Sequence, residues 1–132
     1  MFVWTEAIAT GNKFIDDQHK EIFSRTDDVL RLATDVINHE QALSTFKFLV
    51  NYIFEHFSSE EKLMESYNYV DLESHKQEHA KFIKKIANIN SSLKEYGITA
   101  EFIEELKVLI IELLVEHIDE LDKKFASTIH KR

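Results

Sequence analysis

The sequence predicts an all-α protein, an up-down-up-down antiparallel four-helix bundle with an N-terminal arm. Three observations lead there. The 132 residues contain no Pro and only two Gly, Gly11 and Gly97, so few points force the backbone out of a helix. Four long stretches repeat apolar residues every three or four positions, the period of one helix face. The connections between them are a few residues long, which favours antiparallel neighbours. With no internal repeat, low-complexity run or Gly/Ser linker, residues 1–132 read as a single domain.

Residues 1–15 lack a sustained helical period, and Trp4, Ile8 and Phe14 are expected to lie as an arm over the bundle. The first helix is expected over about 17–37, with Ile22, Phe23, Val29, Leu30, Val36 and Ile37 on its buried stripe and His19 just ahead of them. Asn38 and Gln41 are spaced as a capping box that opens the second helix, about 40–65. Its stripe is Leu43, Phe46, Leu49, Val50, Ile53, Phe57 and Met64, with His56 and Glu60 within or beside it. After a break at Ser66–Tyr69, the third helix, about 71–95, carries His75, His79, Phe82, Ile83, Ile86, Ile89 and Leu93, and Gly97 is placed to close it in the left-handed conformation. Thr99 can cap the fourth, about 100–128, which has the strongest stripe in the chain, from Phe102 to Phe125, with His117 inside it.

Composition excludes several functions. There is no Cys, so disulfides, thiolate metal sites and thiol nucleophiles are out. A formal net charge of −8 has the wrong sign for a nucleic-acid binder or an anionic membrane surface. Neither the start of the chain nor any later segment has the apolar run of a leader or a membrane span, and the expectation is a soluble, cytoplasmic protein.

Alternation of helix direction brings the candidate site together. The start of the first helix, the end of the second, the start of the third and the end of the fourth all lie at one end of an up-down bundle. His19, His56, Glu60, His75, His79, His117 and Asp122 therefore share one depth. Five imidazoles and two carboxylates buried there would be costly without a cation to bind them. Seven ligands exceed the needs of one transition ion, whereas two ions bridged by both carboxylates use them all. Nitrogen and oxygen donors without sulfur suit iron, with manganese, cobalt and zinc also compatible. Glu61 and Asp119 are rivals for the carboxylate roles, with less apt spacing. His39 and His130 fall at a helix junction and near the C-terminus and are expected to be exposed. One difficulty is geometric: residues five apart on an ideal α-helix diverge by about 140°. Joint use of His117 and Asp122 predicts a local widening of the fourth helix, such as a π-type turn, or a long reach by Asp122.

The ordered pattern His19, His56-Phe57-Ser58-Ser59-Glu60, His75-Lys76-Gln77-Glu78-His79 and His117-Ile118-Asp119-Glu120-Leu121-Asp122 resembles the hemerythrin family, and specifically its single-domain bacteriohemerythrins. The flanks, with Trp4, Gly11, Ile15-Asp16-Asp17-Gln18-His19 and His56-Phe57-Ser58-Ser59-Glu60-Glu61, extend the resemblance over nearly the whole chain. It implies reversible dioxygen binding, for carriage, storage or delivery, at two non-heme iron ions with a bridging oxo or hydroxo group. His75, His79 and His117 would bind the closed iron, His19 and His56 the open one, and Glu60 and Asp122 would bridge. Ile22, Phe57, Leu114 and Ile118 match or neighbour the family's oxygen-pocket positions. The resemblance implies no enzyme. An oxygen-using enzyme or a reductase is the implied protein partner, and an oxygen or redox sensor, or a di-iron enzyme acting on peroxide or nitric oxide, is the alternative reading. Two departures stand out: Val70 replaces a frequent Pro, which loosens the connection after the second helix, and Leu113 replaces a frequent Trp, which enlarges the pocket or its entrance.

Overall fold

The computed structural model describes residues 4–130, with the side chain of His130 outside the described set, so its expected exposure falls there too. Four helices form the bundle: α1 (Lys13–Ala33), α2 (His39–Ser66), α3 (Leu72–Tyr96) and α4, residues 100–130. Each packs on the next, α1 closes the ring against α4, and there is no strand among the described residues.

The ends of the helices follow from local chemistry. Asn12 accepts the Ile15 amide at 3.0 Å, and Asp16 folds back to accept from the amide and hydroxyl of Thr10. These two contacts start α1 at Lys13, ahead of the expected Asp17. The helix also stops sooner, at Ala33, because Asp35 takes the Ile37 amide and nucleates a 3-10 turn over Val36–Asn38. Val36 and Ile37, expected on the buried stripe, are therefore 79% and 88% exposed. The capping box is also replaced: Asn38 makes no side-chain cap bond, since the turn runs straight into α2. His39 is half-buried rather than exposed, with Nε2 3.0 Å from the Ala33 carbonyl.

Gly97 ends α3 with φ 73°, ψ −163°, a positive-φ conformation but an extended one rather than the left-handed helical one expected. Thr99 caps α4 by accepting the Phe102 amide. In the arm, Trp4 packs on Phe23 and under Lys20, Ile8 is buried, and Lys123 Nζ donates to the Ala7 carbonyl. Phe14 belongs to α1 instead and is exposed.

The apolar interior has two parts. The larger runs from Ile22 and Phe23 through Phe46, Leu49, Phe102 and Leu106 to Ile118. The smaller, Ile15, Met64, Tyr69, Phe125 and Ile129, closes one end of the bundle. Leu43 and Ile83, expected in the stripes, lie at the edge and are about two-fifths exposed.

Candidate metal centre

Between the two apolar regions lies a buried polar layer. His19, His56, Glu60, His75, His79, His117 and Asp122 are all 5% exposed or less. α1 supplies His19, α2 supplies His56 and Glu60, α3 supplies His75 and His79, and α4 supplies His117 and Asp122. The structure thus brings together all seven residues expected from the sequence. They form two overlapping groups that share the carboxylates: Glu60, His75, His79, His117 and Asp122 in one, His19, His56, Glu60 and Asp122 in the other. In each group the potential ligand atoms lie within 4.8 Å of one another.

Helix α4 widens where the spacing demands it. A π-helical turn over Ile118–Asp122 absorbs the extra residue between His117 and Asp122, and both side chains reach the layer. A second widened stretch, Val108–Leu114, lies one turn earlier, and nothing in the residue spacing announced it.

The nitrogens face oxygens. His75 Nε2 is 2.8 Å from Glu60 Oε1 and 3.0 Å from Asp122 Oδ1. His79 Nε2 is 3.2 Å from Glu60 Oε1, His117 Nε2 3.2 Å from Asp122 Oδ1, and His19 Nε2 3.1 Å from Asp122 Oδ2. His56 Nε2 is 3.6 Å from Glu60 Oε2. Adjacent ligands on an octahedral ion with bonds of about 2.1 Å stand about 3.0 Å apart, so this spacing fits a shared cation.

Two of the rings have acceptors on their outer nitrogens. Gln18 Oε1 accepts from His56 Nδ1 at 2.8 Å, and Glu61 Oε2 accepts from His79 Nδ1 at 2.7 Å. In a neutral ring with its proton on Nδ1, the bare Nε2 lone pair faces a carboxylate oxygen. Both Nε2 atoms are buried without a hydrogen-bond partner, as are Glu60 Oε2 and both Asp122 oxygens. Lone pairs aimed at lone pairs in a buried layer repel unless a cation lies between them. The residues present therefore fit a metal pair.

Electrostatics agrees. Burial opposes charge on His75, but its contacts with Asp122 and Glu60 outweigh that and raise its pKa to about 9. Burial lowers that of His56 to about 4. Burial works against ionised Asp122 too, yet the neighbouring His117, His19 and His75 hold it well below the ordinary carboxylate value. A proton on His75 thus does part of the work of a cation in the metal-free chain. Uptake of a divalent cation at neutral pH is expected to displace about one proton from His75. A pH-indicator titration in weak buffer should show that release at pH 7 and its disappearance once the pH exceeds about 9.

Around the layer, Ile22, Phe57, Leu114 and Ile118 are buried in the larger apolar region. Phe57 does more than line a wall, because its ring stacks on His79 at 4.0 Å with 9° between planes. A cavity of about 190 Å³, lined in part by Phe82, half-buried Leu113 and His117, opens from the α3/α4 seam. Val70 is 89% exposed in the connection between α2 and α3. Glu61 and Asp119 stay outside both groups: Glu61 turns to His79 Nδ1, and Asp119 pairs with Lys123 on the surface. Gln18 was not expected to contribute. The residue before His19 points about 100° away from it, and no local pattern marks it as a partner for a side chain on α2.

Residues 10–129 match the family model described as the Hemerythrin HHE cation binding domain. The chain belongs to the hemerythrin family. It is 30% identical to the bacteriohemerythrin of Clostridium acetobutylicum over 128 residues, 95% of this chain and 98% of that protein. The bacteriohemerythrin of Methylococcus capsulatus is 31% identical, with 95% and 94% covered. The myohemerythrin of Theromyzon tessulatum is 30% identical, with 94% and 90% covered. Among solved structures, a crystal structure of a hemerythrin mutant superposes with a TM-score of 0.84 at 27% identity, covering 96% of this chain and 95% of that one. The hemerythrin bundle is thus a feature of this chain, its buried layer holds groups of residues that could take a metal ion, and no helix among its described residues is long and apolar enough to cross a membrane.

Proposed function

We propose that this hemerythrin binds dioxygen reversibly at a pair of non-heme iron ions, for oxygen carriage, storage or delivery. The observation that carries this reading is the buried layer of inward Nε2 and carboxylate atoms left without hydrogen-bond partners. Its division into two groups sharing Glu60 and Asp122 supports one iron held by His75, His79 and His117 and a second by His19 and His56, with both carboxylates bridging. When bound, the iron pair with a bridging oxo or hydroxo group supplies the electrons and the open coordination position that dioxygen requires.

The protein's part is to hold, balance and seal. Five neutral imidazoles and two carboxylates bring little negative charge, which favours reversible binding over the oxygen activation associated with carboxylate-rich sites. The second group has two histidines against three in the first, which supports placing the open position there. Ile22, Phe57, Leu114 and Ile118 exclude water from the interior side of the layer and slow proton delivery. Delivery to an oxygen-using enzyme and re-reduction by a reductase are the partner roles that accompany this reading.

The test is metal analysis together with the visible spectrum of the reduced protein before oxygen, after oxygen and after its removal. About two irons per chain, one for each group, and a band that comes and goes with oxygen are expected. A single zinc, or no metal, overturns the proposal. Sustained turnover with a reductant in place of stoichiometric binding replaces it with an enzyme.

A further inference from the structure

We infer that Glu61 is a positioning residue for the metal centre: it accepts the Nδ1 proton of His79, turns that ring's Nε2 inward, and gives the three-histidine group an anionic outer partner that the two-histidine group lacks among the described residues. The inference rests on the iron-binding reading of the seven inner residues.

One turn of α2 holds His79 from three directions. Phe57 stacks on the ring face, Glu60 Oε1 stands 3.2 Å from Nε2, and Glu61 Oε2 stands 2.7 Å from Nδ1. These residues fall at i, i+3 and i+4, the spacing that aligns side chains along one helix face. Stacking sets the plane of the imidazole, and the two carboxylates set its rotation within that plane. The consecutive glutamates thus divide the work, with Glu60 inside the layer and Glu61 behind the ring.

On the opposite side, His56 Nδ1 meets Gln18 Oε1 at 2.8 Å. The geometry is the same and the charge differs by one. His56 and His79 are the two layer histidines whose Nδ1 meets a side-chain acceptor among the described residues. A charged acceptor makes a hydrogen bond roughly twice as strong as a neutral one and pulls the N–H proton towards itself. Electron density then moves onto Nε2, which becomes the stronger metal donor. An iron held by His79 would therefore be easier to oxidise with the Glu61 carboxylate behind the ring than with a neutral acceptor there. Glu61 is about three-quarters buried, so water weakens this charge only in part.

Four proteins decide the point: the unsubstituted chain, Glu61→Gln, Glu61→Ala and Gln18→Glu, each reconstituted with iron(II) and examined for iron content and reduction potential. Glu61→Gln retains an acceptor, so iron loading should hold while the oxidised-to-reduced ratio at a fixed potential falls about tenfold, a rise of about 59 mV for one electron. Gln18→Glu should move the potential the other way. Glu61→Ala should weaken iron binding by about 10- to 100-fold. A Glu61→Gln potential equal to that of the unsubstituted chain overturns the inference, because a purely structural role would leave the potential alone. Nitrogen-15 NMR of the metal-free chain at mildly alkaline pH gives a readout that needs no iron. His79 should carry its proton on Nδ1 in the unsubstituted chain and in Glu61→Gln, and populate both tautomers in Glu61→Ala. A proton on Nε2 in the unsubstituted chain overturns the role of Glu61 whether or not iron is taken up, whereas failure to take up iron with the Nδ1 tautomer intact overturns the iron reading alone.

Discussion

Replacing Asp122 with alanine is expected to remove metal binding from both halves of the centre at once, taking the chain from about two ions to fewer than one. Asp122 belongs to both groups of candidate ligands: Oδ1 lies 3.0 Å from His75 Nε2 and 3.2 Å from His117 Nε2, and Oδ2 lies 3.1 Å from His19 Nε2. Among the described residues no other carboxylate reaches all three of these nitrogens within ion-pair distance, Glu60 meeting His75 alone of them. His19→Ala is the control, because His19 belongs to one group only, and it should leave about one ion per chain. Iron content by elemental analysis, beside a far-UV circular dichroism spectrum to verify the helices, separates the cases. Equal loading in Asp122→Ala and the unsubstituted chain would falsify the bridging role.

Removing the metal from the unsubstituted chain should lower its thermal stability more than any surface substitution. Free ligand at a thousand times its dissociation constant stabilises a fold by about 4 kcal/mol per site, roughly 15 °C in Tm for a domain of this size. The buried layer gives the reason: without a cation, lone pairs on His56, His79, Glu60 and Asp122 face one another out of reach of water. The pH dependence has a definite sign. His75 is raised to about 9, so its stabilisation of the metal-free fold is fully present below about pH 6.5 and is lost as pH rises through 9. Cation binding becomes more favourable over that interval, because less proton must be displaced. The gap in Tm between iron-loaded and chelator-treated protein should therefore widen from pH 7 to pH 9, and a gap that narrows would count against His75 as a ligand. On the acid side, burial keeps His56 neutral down to about 4, so the metal-free fold loses stability as pH falls below about 6.5 towards that value.

Much of this architecture was legible in the residues themselves. His75 and His79 fall one turn apart on a helix face, His56 and Glu60 do the same, and alternating helix direction puts both pairs at the level of His19 and Asp122. The five-residue interval from His117 to Asp122 even announced its own distortion, since a regular helix could not satisfy both side chains, and the turn over Ile118–Asp122 is π-helical. Helix ends were less legible. Val36 and Ile37 continue the apolar period of α1, but the Asp35 carboxylate captures a local amide and ends the run before them.

By itself, the sequence determined the four helices, their order and the turns that carry the histidines and carboxylates, because each depends on hydrogen bonding and side-chain direction within a turn or two of the residue concerned. Tertiary structure alone decided what stands behind the histidines. Gln18 reaches His56 across 38 positions of chain and Glu61 reaches His79 across 18, and both contacts depend on the rotation of one helix against its neighbour. That rotation is set by packing of the whole interior, including the widened stretch Val108–Leu114, and no local period encodes it. The inner residues mark out a candidate metal centre, and the packing between helices determines what stands behind His56 and His79.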